Sequence, residues 1–138
     1  MRESDLEDLA EKHGHTIHSV SLSEAPAFSV EDSLSRCHIA ISDQATGPTR
    51  AVLLAHELGH CEYGGFYNYH SLFSIRSKCE AKADRWAYIH MLPISDIQDA
   101  IHEGCENIYD LSERCGVTPE FAAKAIRFYV DQLGQSLR

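Results

Sequence analysis

The run AVLLAHELGHC, Ala51 to Cys61, brings two imidazoles and a carboxylate close together in the chain. His56 and His60 are four residues apart, and on a helix of about 3.6 residues per turn that spacing stacks both rings on one face. Two such nitrogens can bind one tetrahedral Zn²⁺ at about 2.0–2.1 Å. Glu57 stands beside the first histidine, close enough to reach a water at the metal without ligating the ion. It would act there as general base on a water whose pKa zinc lowers towards about 7, the chemistry of carbonyl hydrolysis at neutral pH.

His56, Glu57 and His60 together form the H-E-x-x-H pattern of zinc metallopeptidases. Three fixed positions in five can arise by chance, and both histidines could simply line a core helix. The surroundings favour the metal. Val52, Leu53, Leu54, Ala55 and Leu58 make the segment apolar, and burying three polar groups there is costly unless they are paired or metal-bound. Gly59 removes a side chain where a second element could approach. Glu62 is a departure, because zinc peptidases usually carry an apolar residue just past the motif.

A third protein ligand is needed. In SIRSKCEAKADRWAYIHM, Ser74 to Met91, the residues Glu80, Ala83, Asp84, Ala87 and Met91 fall on one helical strip. Two acids among alanines are hard to explain as a solvated face. Ala83 and Ala87 would let this helix approach Ala55 and Gly59, bringing Glu80 to the metal while Asp84 orients a ligand imidazole. The alternative pattern H-E-x-x-H-x-x-G-x-x-H fails, because Tyr63 stands where it needs glycine and Phe66 where it needs histidine. Tyr63, Tyr67, Tyr69 and His70, in and around the aromatic loop FYNYHSL, are candidate hydrogen-bond donors to a tetrahedral oxyanion or contacts to substrate, and His90 is a more remote one. Each could equally be a packing residue.

The elements that must position these groups follow from pattern. Ser4 and Glu7 read as a capping box for a helix over 5–13. His13, His15 and His18 read as a solvated loop leading into a strand around Ile17 to Leu22. Residues 23–35 read as a loop or ragged strand, and Cys37 to Ser42 as a strand beside the metal whose edge could hold an extended substrate by β-augmentation. Pro48 opens the motif helix, expected over Thr49 to Glu62 and ended by Gly64-Gly65. Pro93 closes the next helix. Short helices are expected over Asp96 to His102, Ile108 to Cys115 and Pro119 to Gln132. The run LSERCGVTPEFAAKAI within them has a helix-turn-helix flavour.

At 138 residues the chain is long enough for one core without crosslinks. Its formal charge is −9, from 12 basic and 21 acidic residues, which argues against a phosphate-binding surface. No apolar run reaches the length of a membrane span or a signal peptide, so a cytoplasmic protein with no membrane partner and no direct nucleic-acid contact is expected. Five cysteines with no C-x-x-C pair make a disulfide framework an unexpected feature in a reducing compartment. Cys61 and Cys79, next to His60 and Glu80, raise the option of redox sensitivity.

HELGHCEYGGFYN, the CEAKADRWA segment and the MLP after it together resemble the ImmA/IrrE family of bacterial and phage metallopeptidases, in its short mobile-element form. The resemblance covers about residues 37–93. It implies His56, His60 and Glu80 as ligands of one Zn²⁺ and Glu57 as catalytic base. It also implies a biological role, the cleavage of a transcriptional repressor of helix-turn-helix type, often encoded nearby. The expected fold is a single α+β, mainly helical, zincin-like domain. Residues 1–93 would form a core with a small antiparallel sheet and the motif helix, and residues 94–138 a closing helical segment. Two other functions compete with proteolysis: a metal-containing anti-repressor that binds without cutting, and a small DNA-binding regulator using the closing helices.

Overall fold

The structure is a computed structural model, and it describes residues 2–67 and 71–137. Helix α1 (Glu3–Lys12) precedes strands β1 (Thr16–Val20), β2 (Ala27–Glu31) and β3 (Cys37–Ser42). Helix α2 (Gly47–Gly59) follows and runs into a π-turn, His60–Gly64. Then come α3 (Phe73–Met91), α4 (Ile94–His102), α5 (Ile108–Cys115), α6 (Pro119–Arg127) and a second π-turn, Phe128–Gln132. This is the α+β, mainly helical architecture expected.

Helix α1 starts earlier than the Ser4/Glu7 box predicts. The Arg2 backbone N–H donates to Asp5 Oδ2 at 2.8 Å, so the reciprocal contact sits two residues upstream.

The sheet corrects two expectations. Its order is β1-β3-β2, with β1 parallel and β2 antiparallel to β3, so it is mixed and not antiparallel. Strand β3 is therefore central and has no free edge for a substrate; the edge strands are β1 and β2. The alternation in CHIAIS follows from this position: Cys37, Ile39 and Ile41 are buried while His38, Ala40 and Ser42 are half-buried. Strand β2 forms within the stretch read as a loop or ragged strand. Asp32 organises the turn after it, accepting from the backbone N–H groups of Leu34 and Arg36 at 2.8 and 2.9 Å and from His38 Nε2 at 2.8 Å.

The core lies between the sheet, α2 and α3. Ala51, Leu54, Ala55 and Leu58 of α2 are buried with Ile39 and Ile41 of β3 and with Ala83, Trp86, Ala87 and Met91 of α3. Helix α1 adds Leu6 and Ala10. The closing helices add Ile97, Ala100, Leu111, Phe121, Ala122 and Ala125. Among the described residues, no helix is long and apolar enough to cross a membrane.

Candidate metal centre

Helices α2 and α3 cross closely because both carry small residues at the crossing. A Cβ built on Gly59 would lie 2.4 Å from the Ala83 carbonyl oxygen, so only glycine fits there. Ala55, Ala83 and Ala87 are fully or almost fully buried around this contact. The close approach brings Glu80, on the strip with Ala83 and Ala87, over the two motif histidines.

His56 Nε2 lies 2.9 Å from Glu80 Oε2, and His60 Nε2 lies 3.0 Å from Glu80 Oε1. The remaining ring nitrogens are tied elsewhere. His56 Nδ1 meets Asp84 Oδ1 at 2.8 Å, and His60 Nδ1 donates to the Gly65 carbonyl oxygen at 2.8 Å. Each Nδ1 partner is an acceptor, so Nδ1 carries a proton in both rings and Nε2, the atom that faces Glu80, is the one that would bind an ion. Gly65 can fold back in this way because its φ of 70° with ψ of −177° is a conformation available essentially to glycine alone. The π-turn that starts at His60 shortens α2 relative to the expected end at Glu62. Single π-turns inserted at a helix end recur at functional sites.

The electrostatics follow from burial and charge. His56 is held above the usual imidazole pKa: burial opposes the cation, but the hydrogen bond and charge of Asp84, with Glu57 and Glu80, outweigh it. Glu57 is 6% exposed, and burial pushes its carboxyl up, offset in part by His56 and His60. Ser29 of β2 donates to Glu57 Oε1 at a long 3.5 Å.

Ligand atoms of His56, His60 and Glu80 all lie within 4.8 Å of one another. The shorter separations of about 3 Å are near the edge length of a tetrahedron with arms of about 2.0–2.1 Å, and two imidazoles with a carboxylate are a donor set suited to zinc. The residues present therefore fit such an ion.

These groups line a cleft of about 450 Å³ together with Pro26, Ala27, Phe28, Ser29, Phe66 and Tyr67. Tyr67 donates to Glu80 Oε1 at 2.8 Å, and that bond raises its pKa, keeping the phenol protonated. Tyr63 and His90 do not join the cleft, contrary to expectation. Tyr63 is 57% exposed and faces a separate hollow with Arg85 and Phe128, because the π-turn rotates it away from the histidines. His90 stacks on Trp86 and bonds its carbonyl at 2.9 Å, within its own helix. Tyr69 and His70 lie outside the described residues.

Sequence reasoning missed the part played by β2. Its only signal was the alternation of Ala27, Ser29 and Glu31 with Phe28 and Val30 inside a stretch broken by Pro26. It also missed a second cluster. His13 Nδ1 contacts Glu62 Oε1, and His15 Nε2 meets the same oxygen at 3.1 Å. Cys37 is joined to Cys61 by a disulfide, with the Cα atoms 5.8 Å apart. The bond overturns the expectation of no crosslink: the two cysteines, 24 residues apart, meet because β3 packs against the end of the motif helix.

No curated protein matches the chain. A family match does extend over residues 6–127, from within α1 to the end of α6, so it takes in every residue of the metal centre described above. The protein belongs to the IrrE N-terminal-like domain family of M78 peptidases.

Proposed function

We propose that the protein is a zinc-dependent endopeptidase that cleaves a transcriptional repressor, of helix-turn-helix type and encoded by the same mobile element. The observation that carries the hydrolytic reading is the convergence of His56 Nε2, His60 Nε2 and the Glu80 carboxylate beside a buried Glu57. His56, His60 and Glu80 would hold the ion. When bound, zinc supplies Lewis acidity to a carbonyl oxygen and lowers the pKa of water towards about 7.

The chain's own groups do the rest. Asp84 and the Gly65 carbonyl keep both imidazoles in the tautomer that presents Nε2. Glu57, its proton affinity raised by burial, takes the proton of the attacking water and passes it to the departing amine nitrogen. Tyr67 has a protonated hydroxyl at the cleft and can turn from Glu80 to the oxygen on which negative charge develops. The peptide lies along β2. This edge strand lines the cleft, offers main-chain hydrogen bonds to an extended segment, and places half-exposed Phe28 where an apolar substrate side chain would rest. An exposed linker in a repressor is a segment of that kind.

Purified protein incubated with the neighbouring repressor is expected to yield two discrete fragments. A chelator and Glu57→Gln should each abolish the cut, the latter with fold and bound metal unchanged. Derepression that persists in Glu57→Gln without any cleavage would reject proteolysis in favour of an anti-repressor that acts by binding. Salt-sensitive binding to promoter DNA with no repressor cut would favour the regulator reading.

A further inference from the structure

The second cluster contains a polar atom that the disulfide leaves unexplained. His15 is half-buried, with a side chain 12% exposed, and its Nδ1 is buried without a hydrogen-bond partner. An orphaned buried nitrogen destabilises a fold, so such atoms normally have a use. A ring nitrogen of His15 and the sulfurs of Cys37 and Cys61 lie within 4.8 Å of one another. Its other nitrogen, Nε2, is already engaged by Glu62 at 3.1 Å. The same carboxylate oxygen is also contacted by His13 Nδ1.

We propose that in the reduced chain His15, Cys37 and Cys61 form a second metal site, which takes a thiophilic divalent cation, Zn²⁺, with Glu62 positioning the His15 ring. A carboxylate on Nε2–H fixes the proton there and leaves the Nδ1 lone pair free, the arrangement found behind metal-bound histidines generally. Two thiolates and an imidazole are soft and borderline donors that select zinc over magnesium or calcium. The fourth position falls to water. Glu62, out of place as a residue following a zinc-peptidase motif, has a purpose here: it is a positioning residue for the second ion.

The site and the disulfide are alternatives, since a bonded sulfur is not a thiolate. Reduction by a water-soluble phosphine breaks the S–S bond, the phosphine becomes its oxide by taking oxygen from water, and two thiols remain. Each thiol releases one proton as its sulfur binds the ion. The metal then ties the start of β3 to the π-turn that carries His60, where the disulfide does so in the oxidised chain.

Cobalt(II) titration of the full, metal-stripped chain tests this, because a thiolate-to-cobalt charge-transfer band in the near ultraviolet reports sulfur ligation and the His56, His60 and Glu80 site has no sulfur. The reduced wild type is expected to take up a second equivalent with that band, and Zn²⁺ to displace it. Cys37→Ser/Cys61→Ser should lose the band while keeping the first equivalent. Glu62→Gln should weaken the second ion about 10- to 100-fold, and His15→Ala at least as much. Glu80→Ala should leave the band intact, which separates this site from the peptidase reading. Should the double serine variant fail to fold, the oxidised wild type decides, since it must lack the band. The proposal is overturned if the reduced chain shows no band, or if the band persists in the double variant or in the oxidised chain, which would place it at Cys79, Cys105 or Cys115.

Discussion

Glu80 and Asp84 stand one helical turn apart on α3, and both touch His56, yet they should not be equivalent. Glu80 faces the Nε2 atoms of both histidines, whereas Asp84 meets His56 Nδ1. In the proposed site, Glu80→Ala removes a ligand and should nearly abolish metal uptake at this centre. Asp84→Asn leaves three ligands and loosens one ring, with an expected weakening of about 10- to 100-fold. Calorimetric titration of both variants with zinc measures the difference; equal losses would contradict the assignment. Glu57→Gln is the complementary case: metal should be retained and peptide cleavage lost, which metal analysis and a cleavage assay on the same preparation would check.

At the scale of elements, the α2–α3 crossing sets how the three candidate ligands, His56, His60 and Glu80, converge. Gly59→Ala would drive a Cβ into the Ala83 backbone, which has no flexible side-chain end to give way. Overpacking of this kind costs about 1–3 kcal/mol, and because Glu80 rides on the displaced helix, metal affinity should fall along with the unfolding midpoint. Wild-type values for both would mean that the helices do not meet this closely. The turn after β2 makes a pH prediction. Asp32 is lowered from 3.8 to about 2, chiefly by the His38 hydrogen bond and then by the Arg36 backbone N–H. A depressed carboxyl contributes stability that is full above its unfolded value near pH 4 and is lost as pH falls through about 2. A carboxyl carbon-13 titration should therefore place the Asp32 midpoint near 2, and a midpoint near 4 would show that the turn is not held this way.

For the whole molecule, the closing helices join α3 through core packing, including Phe121 and Phe128 against Tyr88, and through the phenol of Tyr129. The Tyr129 hydroxyl donates to the Leu92 and Tyr88 carbonyl oxygens at 2.8 and 3.1 Å, and burial pushes its pKa up to about 12. Tyr129→Phe would leave the Leu92 carbonyl at the end of α3 without this donor. A loss of about 1–3 kcal/mol is expected in denaturant unfolding, with the metal centre intact. A change below about 0.5 kcal/mol would argue that water replaces the hydroxyl. The same closing segment carries the helix-turn-helix flavour, but Leu111, Phe121, Ala122 and Ala125 are spent on the core.

The features legible in the amino-acid order alone are mostly those that depend on neighbours a few residues away. The four-residue spacing of His56 and His60 places them on one helical face wherever α2 packs, and the strip of Glu80, Ala83, Asp84 and Ala87 is likewise a property of one helix. Small residues on both helices announced the crossing. Tertiary structure decided what depends on partners far along the chain. Alternation in CHIAIS says which face of a strand is buried but not which strands flank it, so β3 could be central and β2 the edge beside Glu57. Rotation of Tyr63 away from the cleft follows from a π-turn, which leaves the 3.6-residue period on which face assignments rest. His13, His15, Cys37, Cys61 and Glu62 come from three separate segments and share no spacing that marks a ligand set. Only the packing of β3 and the end of α1 against the motif helix brings them together.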